Sequence, residues 1–545
     1  MGYDDRSCVR RHKWKLIILT VLLIVVAVAV PLAVIKPWDK NKDEVTTPPP
    51  APEPMKPNQT IAPSTDDSAK PNAYTPALNV AFDYTTTSKT KIRGVNLGGW
   101  LVLEPFITPS LFNPYIANGV IDEYTLCKHL GPEAAKALLE KHYASWVTED
   151  TFKRIRDLGL NHVRIPIGFW ALGGLKPDEP YVPNLAWTYL LQGIEWARKY
   201  GIRVMVELHA APGSQNGWNH SGRSGAINWI NGTDGAANAQ RTIPYLTNMA
   251  TFFSTPAYAH VSPIMGLLNE PAAFILGGDK VKTWYTQAFN AVRAATGQGK
   301  GPWAVIHDGM IGLSSWADFM PKSDRMMLDA HLYIMFDDNL MRMNTTTQLK
   351  FACETWGSDI TTSAAEFGPT MVGEFSVAVN DCATYLNGIG SGNRWEGTWN
   401  GAPPKMPGAN CANENNVATY TPEYKLFLKN FFLAQIEAYE QGSGWTYWNF
   451  KTETNPLWSY FDGVDGGWLP QDANNRGPSF CASNGYSFNK PQPQPEPSAT
   501  TISAVPTSTT VGTTSTGITI STKPATTTAT TTTATSKPVP TDDTP

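Results

Sequence analysis

Two glutamates in this 545-residue chain stand where carboxyl chemistry is readily arranged. Glu270 ends the run Gly-Leu-Leu-Asn-Glu before a proline, and Glu374 ends Met-Val-Gly-Glu before a phenylalanine. Each sits at the downstream end of a short apolar segment of the kind that forms a buried strand, residues 263–269 and 370–375. The strand ends of an α/β barrel present side chains to the loops that build an active site. Two carboxyl groups there can divide glycoside cleavage, one giving a proton and the other attacking the sugar. A single glutamate closing a strand is more often a loop ligand or salt-bridge partner. The pair takes its meaning from what surrounds it.

Such a pair needs a rigid frame. Strands are expected at 92–96, 162–166, 203–209, 263–269, 303–307, 326–333, 370–375 and 444–449, with amphipathic helices between several of them, such as 149–158 and 185–200. Eight strands alternating with helices predict an α/β fold, a (β/α)8 TIM barrel with long loops over residues 88–488. A doubly wound sheet is the alternative, but no Gly-rich phosphate loop follows the first strand.

Polar residues cluster where these strands stop. They are Arg164 on the second, Glu207 and His209 on the third, Asn269 and Glu270 on the fourth, His331 and Tyr333 on the sixth, Glu374 on the seventh and Trp448 on the eighth. A nucleophilic carboxylate must stay ionised, and Arg164 and Tyr333 can supply the charge and hydrogen bond that keep it so. The acid must hold its proton, which apolar and partly desolvated surroundings favour. Asn269, beside the acid, can donate to a sugar hydroxyl. The histidines lie on separate strands without a ligand pattern, so no metal or other cofactor is expected.

The rest of the chain sets the compartment. With 43 basic and 47 acidic residues the net charge is −4, which excludes the basic surface that nucleic acid demands. Residues 16–35 carry no charge and, as a helix, would span about 30 Å, the thickness of a bilayer core. Arg6, Arg10, Arg11, Lys13 and Lys15 precede them, so residues 1–15 are expected in the cytoplasm and the remainder outside. A single-pass type II membrane protein held in the lipid bilayer by an uncleaved signal-anchor is therefore expected; a cleaved signal is the alternative. Residues 36–87 read as a disordered stalk, and 489–545, rich in Thr, Ser and Pro, as a solvated tail. The terminal Thr-Asp-Asp-Thr-Pro has no apolar stretch, so attachment is expected at the N-terminus alone. In an oxidising space Cys127, Cys353, Cys382, Cys411 and Cys481 allow at most two bridges, whose pairing the sequence leaves open. Asn58, Asn231 and Asn344 begin glycosylation sequons expected to be used. Asn219 begins a fourth, expected to be poorly occupied. Many of the 19 tryptophans fall in polar, loop-like contexts, where an indole face can stack on a sugar ring.

Four long motifs carry a resemblance: Arg93-Gly-Val-Asn-Leu-Gly-Gly-Trp-Leu-Val-Leu-Glu-Pro, Asn161-His-Val-Arg-Ile-Pro-Ile-Gly, Glu207-Leu-His-Ala-Ala-Pro-Gly-Ser-Gln-Asn-Gly and Asn269-Glu-Pro. Together they resemble the fungal exo-β-1,3-glucanases of glycoside hydrolase family five, membrane-anchored type. The resemblance implies a retaining hydrolase with Glu270 as acid/base and Glu374 as nucleophile, about 5–5.5 Å apart. It places Arg164, His209, Asn269, His331, Tyr333 and Trp448 around the sugar and makes Glu104 a grip on the terminal glucose. Trp218 and Phe336 match an aromatic pair at the pocket entrance, with Trp where the family has Phe, and this placement leaves Asn219 and His220 free to meet the sugar beyond the cleavage point. It also implies bridges Cys353–Cys481 and Cys382–Cys411, with Cys127 free. The expected substrate is β-1,3-glucan of a cell wall, cut from non-reducing ends with transglycosylation available, by a monomer. An endo-acting β-1,4-glucanase or mannanase, and an inactive glucan-binding membrane protein, stand as alternatives.

Overall fold

The computed structural model describes residue 78 and residues 80–399 and 408–489. Eight strands close into a parallel barrel in chain order: β1 (Ile92–Asn96), β2 (His162–Gly168), β3 (Arg203–Ala210), β4 (Ile264–Gly266), β5 (Trp303–His307), β6 (Met326–His331), β7 (Thr370–Glu374) and β8 (Gly444–Tyr447). Closure is direct, with β8 paired to β1 from Ile92 opposite Gly444 to Val95 opposite Tyr447. The eight-stranded (β/α)8 barrel expected from the sequence is the fold. Every residue of β2 and β3 is buried, because side chains fill the barrel inside and helices cover it outside. Helix Leu185–Tyr200 shows the outer layer: Ala186, Leu190, Ile194 and Ala197 recur on one buried stripe. Gly193 lies on that face because a Cβ there would sit 2.9 Å from the Trp100 ring.

Packing starts earlier than residue 88. Tyr84 is buried and joins Ile92, Met205, Ile264, Val305, Met327 and Met371 in an apolar cluster near the strand starts. Its hydroxyl lies 2.9 Å from His162 Nε2, and the Phe82 ring stands edge-on to the same imidazole. The last residues of the expected stalk thus plug the floor of the barrel. The expected membrane span 16–35, the sequon at Asn58 and the tail from 490 onward lie outside the described residues. No helix among the described residues is long and apolar enough to cross a membrane.

Cys353 is bonded to Cys481 and Cys382 to Cys411. The first bond ties a helical segment after β6 to the C-terminal end of the fold, and the second closes the long loop after β7. Cys127 is a free, buried thiol.

One buried carboxyl secures the loop that carries Glu104. Glu123, at the start of helix Glu123–Leu130, is fully buried, and its Oε2 accepts a 2.8 Å hydrogen bond from the Leu103 amide. Its Oε1 has no partner. Burial pushes this carboxyl up to about 8, although the Leu103 amide opposes the shift. The folded protein therefore holds a proton that the unfolded chain releases above the ordinary carboxyl range, and stability falls as pH rises from about 4.5 to about 8. Glu123→Gln removes that dependence while keeping an oxygen for Leu103. We expect denaturant unfolding to find variant and wild type nearly equal at acid pH, and the variant more stable by a few kcal/mol near pH 8. A constant difference across pH would show that Glu123 does not carry the proton.

Candidate active site

The C-terminal strand ends are organised around one guanidinium. Arg164 on β2 is fully buried and spends both terminal nitrogens on four acceptors. Nη1 donates to Asn96 Oδ1 and Glu374 Oε1, each at 2.8 Å. Nη2 donates to Glu207 Oε1 at 2.6 Å and Asn269 Oδ1 at 2.7 Å. A buried charge persists only when paired and hydrogen-bonded, and here β1, β3, β7 and the loop after β4 all supply partners. Glu207 passes the order on: its Oε2 holds His209 Nδ1 at 2.9 Å, and the His209 ring stacks on Trp448 with centroids 5.6 Å apart.

The two sequence-selected glutamates meet across the barrel mouth. Tyr333 donates to Glu374 Oε2 at 3.0 Å, so both Glu374 carboxylate oxygens are held by donors. Glu270 Oε1 lies 2.6 Å from His331 Nδ1, and Glu374 Oε2 lies 3.5 Å from the same atom, so these two oxygens are at most about 6 Å apart. That bound suits direct attack and falls short of the roughly 6.5–9.5 Å that leaves room for an intervening water. Glu270 sits at φ 42, a left-handed conformation that costs a non-glycine residue energy and is kept where surrounding structure imposes it. The chain leaves the β4 ladder after Gly266, yet Leu267 N still bonds Val305 O and Asn269 N bonds Leu208 O. The strand therefore ends earlier than the expected 269, freeing Asn269 and Glu270 to turn inward.

The electrostatics correct one expectation. Glu270 was expected to keep its proton through apolar surroundings, but imidazoles surround it. Burial raises its carboxyl, and the His331 hydrogen bond with the His220, His331 and His307 rings outweighs burial and holds it well below the usual range. The free site thus carries an ionised Glu270 beside a protonated His331. Burial opposes the His331 charge, but Glu374, Asp329 and the bond to Glu270 hold that imidazole well above its ordinary value. Burial raises Glu374, with Glu270 adding to it, against His331 and Arg164. The direct bonds from Arg164 and Tyr333 are the contacts that favour its ionised form.

Glu104, in the loop after β1, is buried, and its Oε1 has no partner among the described residues. Burial raises its carboxyl strongly, and Glu374 and Glu270 add to the effect. A buried oxygen left free beside the catalytic carboxylates is what a sugar hydroxyl would satisfy. Around it the loops after β1, β7 and β8 are stitched together. Tyr385 hydroxyl donates to Asn113 Oδ1 at 2.9 Å, Thr384 N to Asn455 Oδ1 at 3.1 Å, and Asn455 Nδ2 to Phe106 O at 2.6 Å. Trp218 and Phe336, in the loops after β3 and β6, are both exposed. Phe336 packs toward Trp458, with centroids 6.5 Å apart.

Sequence reading missed several members. Asn96 ends β1 and bonds Arg164. His307 ends β5, which with β1 makes the two strands whose termini were passed over, and its ring meets His331 at 4.2 Å. Asp329 lies two residues before His331, on the same face of β6, with Oδ2 3.5 Å from His331 Nε2. His220 was expected only to meet the sugar beyond the cleavage point, and its place 3.4 Å from Glu270 Oε2 was not foreseen. Glu270, His307 and His331 bring polar atoms within 4.8 Å of one another. The 2.6 Å contact between Glu270 and His331 makes this group an ion-pair network.

Comparison with known proteins agrees with this geometry. Residues 132–401, which include both glutamates, match the family model "Cellulase (glycosyl hydrolase family 5)". "Probable glucan 1,3-beta-glucosidase D" of Aspergillus clavatus is 45% identical over 428 residues, covering 76% of this chain and 50% of that protein. The protein of the same name from Aspergillus niger is 44% identical over 428 residues, with the same coverage. The chain therefore spans about half the length of the curated relatives it matches. Among solved structures, rutinosidase from Aspergillus niger superposes with a TM-score of 0.53 at 20% identity, over 71% of this chain and 99% of that one, which is a likeness of fold. The barrel of this chain belongs to glycosyl hydrolase family 5.

Proposed function

We propose that this protein is a retaining exo-β-1,3-glucosidase that removes glucose from the non-reducing ends of β-1,3-glucan. The observation that carries the reading is the pair Glu270 and Glu374, whose carboxylates approach the same His331 Nδ1 at 2.6 and 3.5 Å. Glu374 attacks the anomeric carbon, and the bond to the leaving oxygen breaks with its electron pair as that oxygen takes a proton through Glu270, which draws it from protonated His331 across their 2.6 Å contact. Water then gives a proton to Glu270 while its oxygen replaces Glu374 at the carbon, so configuration is retained. Esterification removes the Glu374 charge that raises proton affinity around it, which suits Glu270 to act next as base. The joined loops after β1, β7 and β8 support exo action, since a walled mouth admits a chain end and excludes a chain middle. The relatives' names support the β-1,3 linkage.

The reading extends to location. The uncharged span 16–35, with basic residues before it, supports a type II membrane anchor with the barrel outside the cell, acting on cell-wall glucan. Asn231 and Asn344 lie on half-buried and exposed loop positions that a glycan could occupy.

Glu374→Gln should lose at least about three orders of magnitude in rate, because it removes the covalent route. A 2-deoxy-2-fluoroglucosyl substrate should label Glu374 alone, and glucose should be the sole early product from laminarin. Label on Glu270 would reverse the roles, and activity on carboxymethylcellulose would favour an endo-β-1,4-glucanase. His331→Gln addresses pH. Glu374 must be ionised to attack, and the His331 charge lowers its proton affinity. Removing that charge should move the acid limb of kcat/KM to higher pH. An unmoved limb would mean that His331 is neutral in the working enzyme. For topology, protease added to sealed vesicles with the barrel enclosed should digest only the segment around Asp4–Lys15. Full protection of that segment would sink the type II orientation.

A further inference from the structure

The two oxygens of Glu270 have different neighbours. Oε1 is committed to His331 Nδ1 at 2.6 Å, a short charge-assisted contact. Oε2 faces His220 Nε2 at 3.4 Å, longer than a formed N–H···O bond, and is the less committed oxygen. Oε2 is therefore the one better able to exchange a proton with an incoming or leaving hydroxyl.

His220 is held there by its own loop. It follows Trp218 and Asn219 in a short 3-10 turn, and its ring meets Trp218 at 5.4 Å and His209 at 5.6 Å. Ser221, next in sequence, is buried, with its hydroxyl 2.6 Å from Ser214 Oγ and donating to Trp218 O at 2.7 Å. Asn216 Nδ2 donates to the Glu270 carbonyl at 3.2 Å, tying this loop to the acid/base itself. The His220 side chain is 19% exposed, so one edge reaches the mouth, and its Nδ1 has no hydrogen bond among the described residues. Burial lowers this imidazole to about 4, against the pull of Glu270, and the neutral ring carries one N–H and one lone pair. With Nε2–H toward Glu270, the lone pair on Nδ1 is left to accept from a ligand.

We propose that His220 is the positioning residue for a sugar acceptor in the second half of the reaction, with Nε2 steadying Glu270 Oε2 and Nδ1 receiving an acceptor hydroxyl while the acceptor ring lies on Trp218. Water offers no ring face to Trp218, so the arrangement favours sugar over water. The transfer balances: the acceptor oxygen forms the bond to the anomeric carbon, the bond to Glu374 breaks and returns its carboxylate, and the acceptor proton passes to Glu270. The chain's choice between hydrolysis and transglycosylation is thereby set by the Trp218–His220 pair. This rests on the β-1,3-glucosidase reading above.

The test uses the intact enzyme on laminaritriose and on 2,4-dinitrophenyl β-glucoside, whose leaving group departs without a proton. His220→Ala should lower the ratio of laminaritetraose to free glucose about fivefold, the worth of one neutral hydrogen bond. First-turnover release of dinitrophenolate, which uses neither an acceptor nor a proton from Glu270, should fall by a clearly smaller factor than the ratio does. His220→Gln, which keeps a donor and an acceptor, should restore most of the ratio. An unchanged ratio in His220→Ala, or equal losses in dinitrophenolate release and in both products, would leave His220 only a structural support and overturn the proposal. Wild-type enzyme that releases glucose from neither substrate would instead sink the β-glucosidase reading, and this inference with it.

Discussion

The active-site end of the barrel depends on how a fully buried guanidinium is compensated. Taking an arginine out of water costs several kcal/mol unless its donors are met, and losing one partner of such a group is more damaging than losing a surface pair. Arg164 meets that demand with Asn96, Glu207, Asn269 and Glu374, which are brought together only when the barrel has closed. Folding and site assembly are in this sense one event. The bonds that satisfy Arg164 also fix Glu374 and the asparagine that precedes Glu270.

Charge balance explains why histidines are numerous here. Glu104, Glu207, Glu270, Glu374 and Asp329 face a single arginine in a water-poor space. The imidazoles answer in two ways. His331 takes a proton and is held charged by Glu374 and Asp329, whereas His220 and His307 are kept neutral by burial and serve as dipolar neighbours. One residue type thus supplies both a cation and two uncharged partners, according to how many carboxylates each ring meets.

Much of this was legible in the sequence, for physical reasons. Parallel strands covered on both sides must be apolar throughout, so β1 and β5 could be bounded to the residue, and the polar interruptions at Arg164, Glu207, His331 and Glu374 stood out against them. What escaped lacked such a background. The approach of His220 to Glu270, though not its place near the sugar, escaped because the turn that carries it is set by Ser214, Ser221 and glycines at positive φ, such as Gly217 and Gly222, and no periodicity points from a loop to a carboxylate on another strand. Asp329 was hidden in a strand read as apolar. The protonation of Glu270 was misjudged because three imidazoles from the loops after β3 and the ends of β5 and β6 converge on it, and their convergence is a property of the closed barrel. The floor formed by Phe82 and Tyr84 was missed because a few aromatic residues following a Pro- and Thr-rich stretch look like the end of a linker.

The strand geometry gives the site its depth. Along β6, Asp329 and His331 share a face, and Tyr333 follows beyond the strand end, so one element places a carboxylate, an imidazole and a phenol at successive heights. Asp329 works at the lowest level: its Oδ1 accepts the Gly373 amide on β7 at 2.5 Å, while its other oxygen faces His331. Gly373 has to be glycine, since a Cβ there would fall 2.2 Å from the same aspartate. The register between β6 and β7 shifts between Ala330 and His331, which puts His331 opposite Glu374. Without that shift Gly373 would be the residue opposite His331. The step between the two strands therefore sets which carboxylate the shared imidazole meets, and with it whether the paired glutamates share one proton-holding ring.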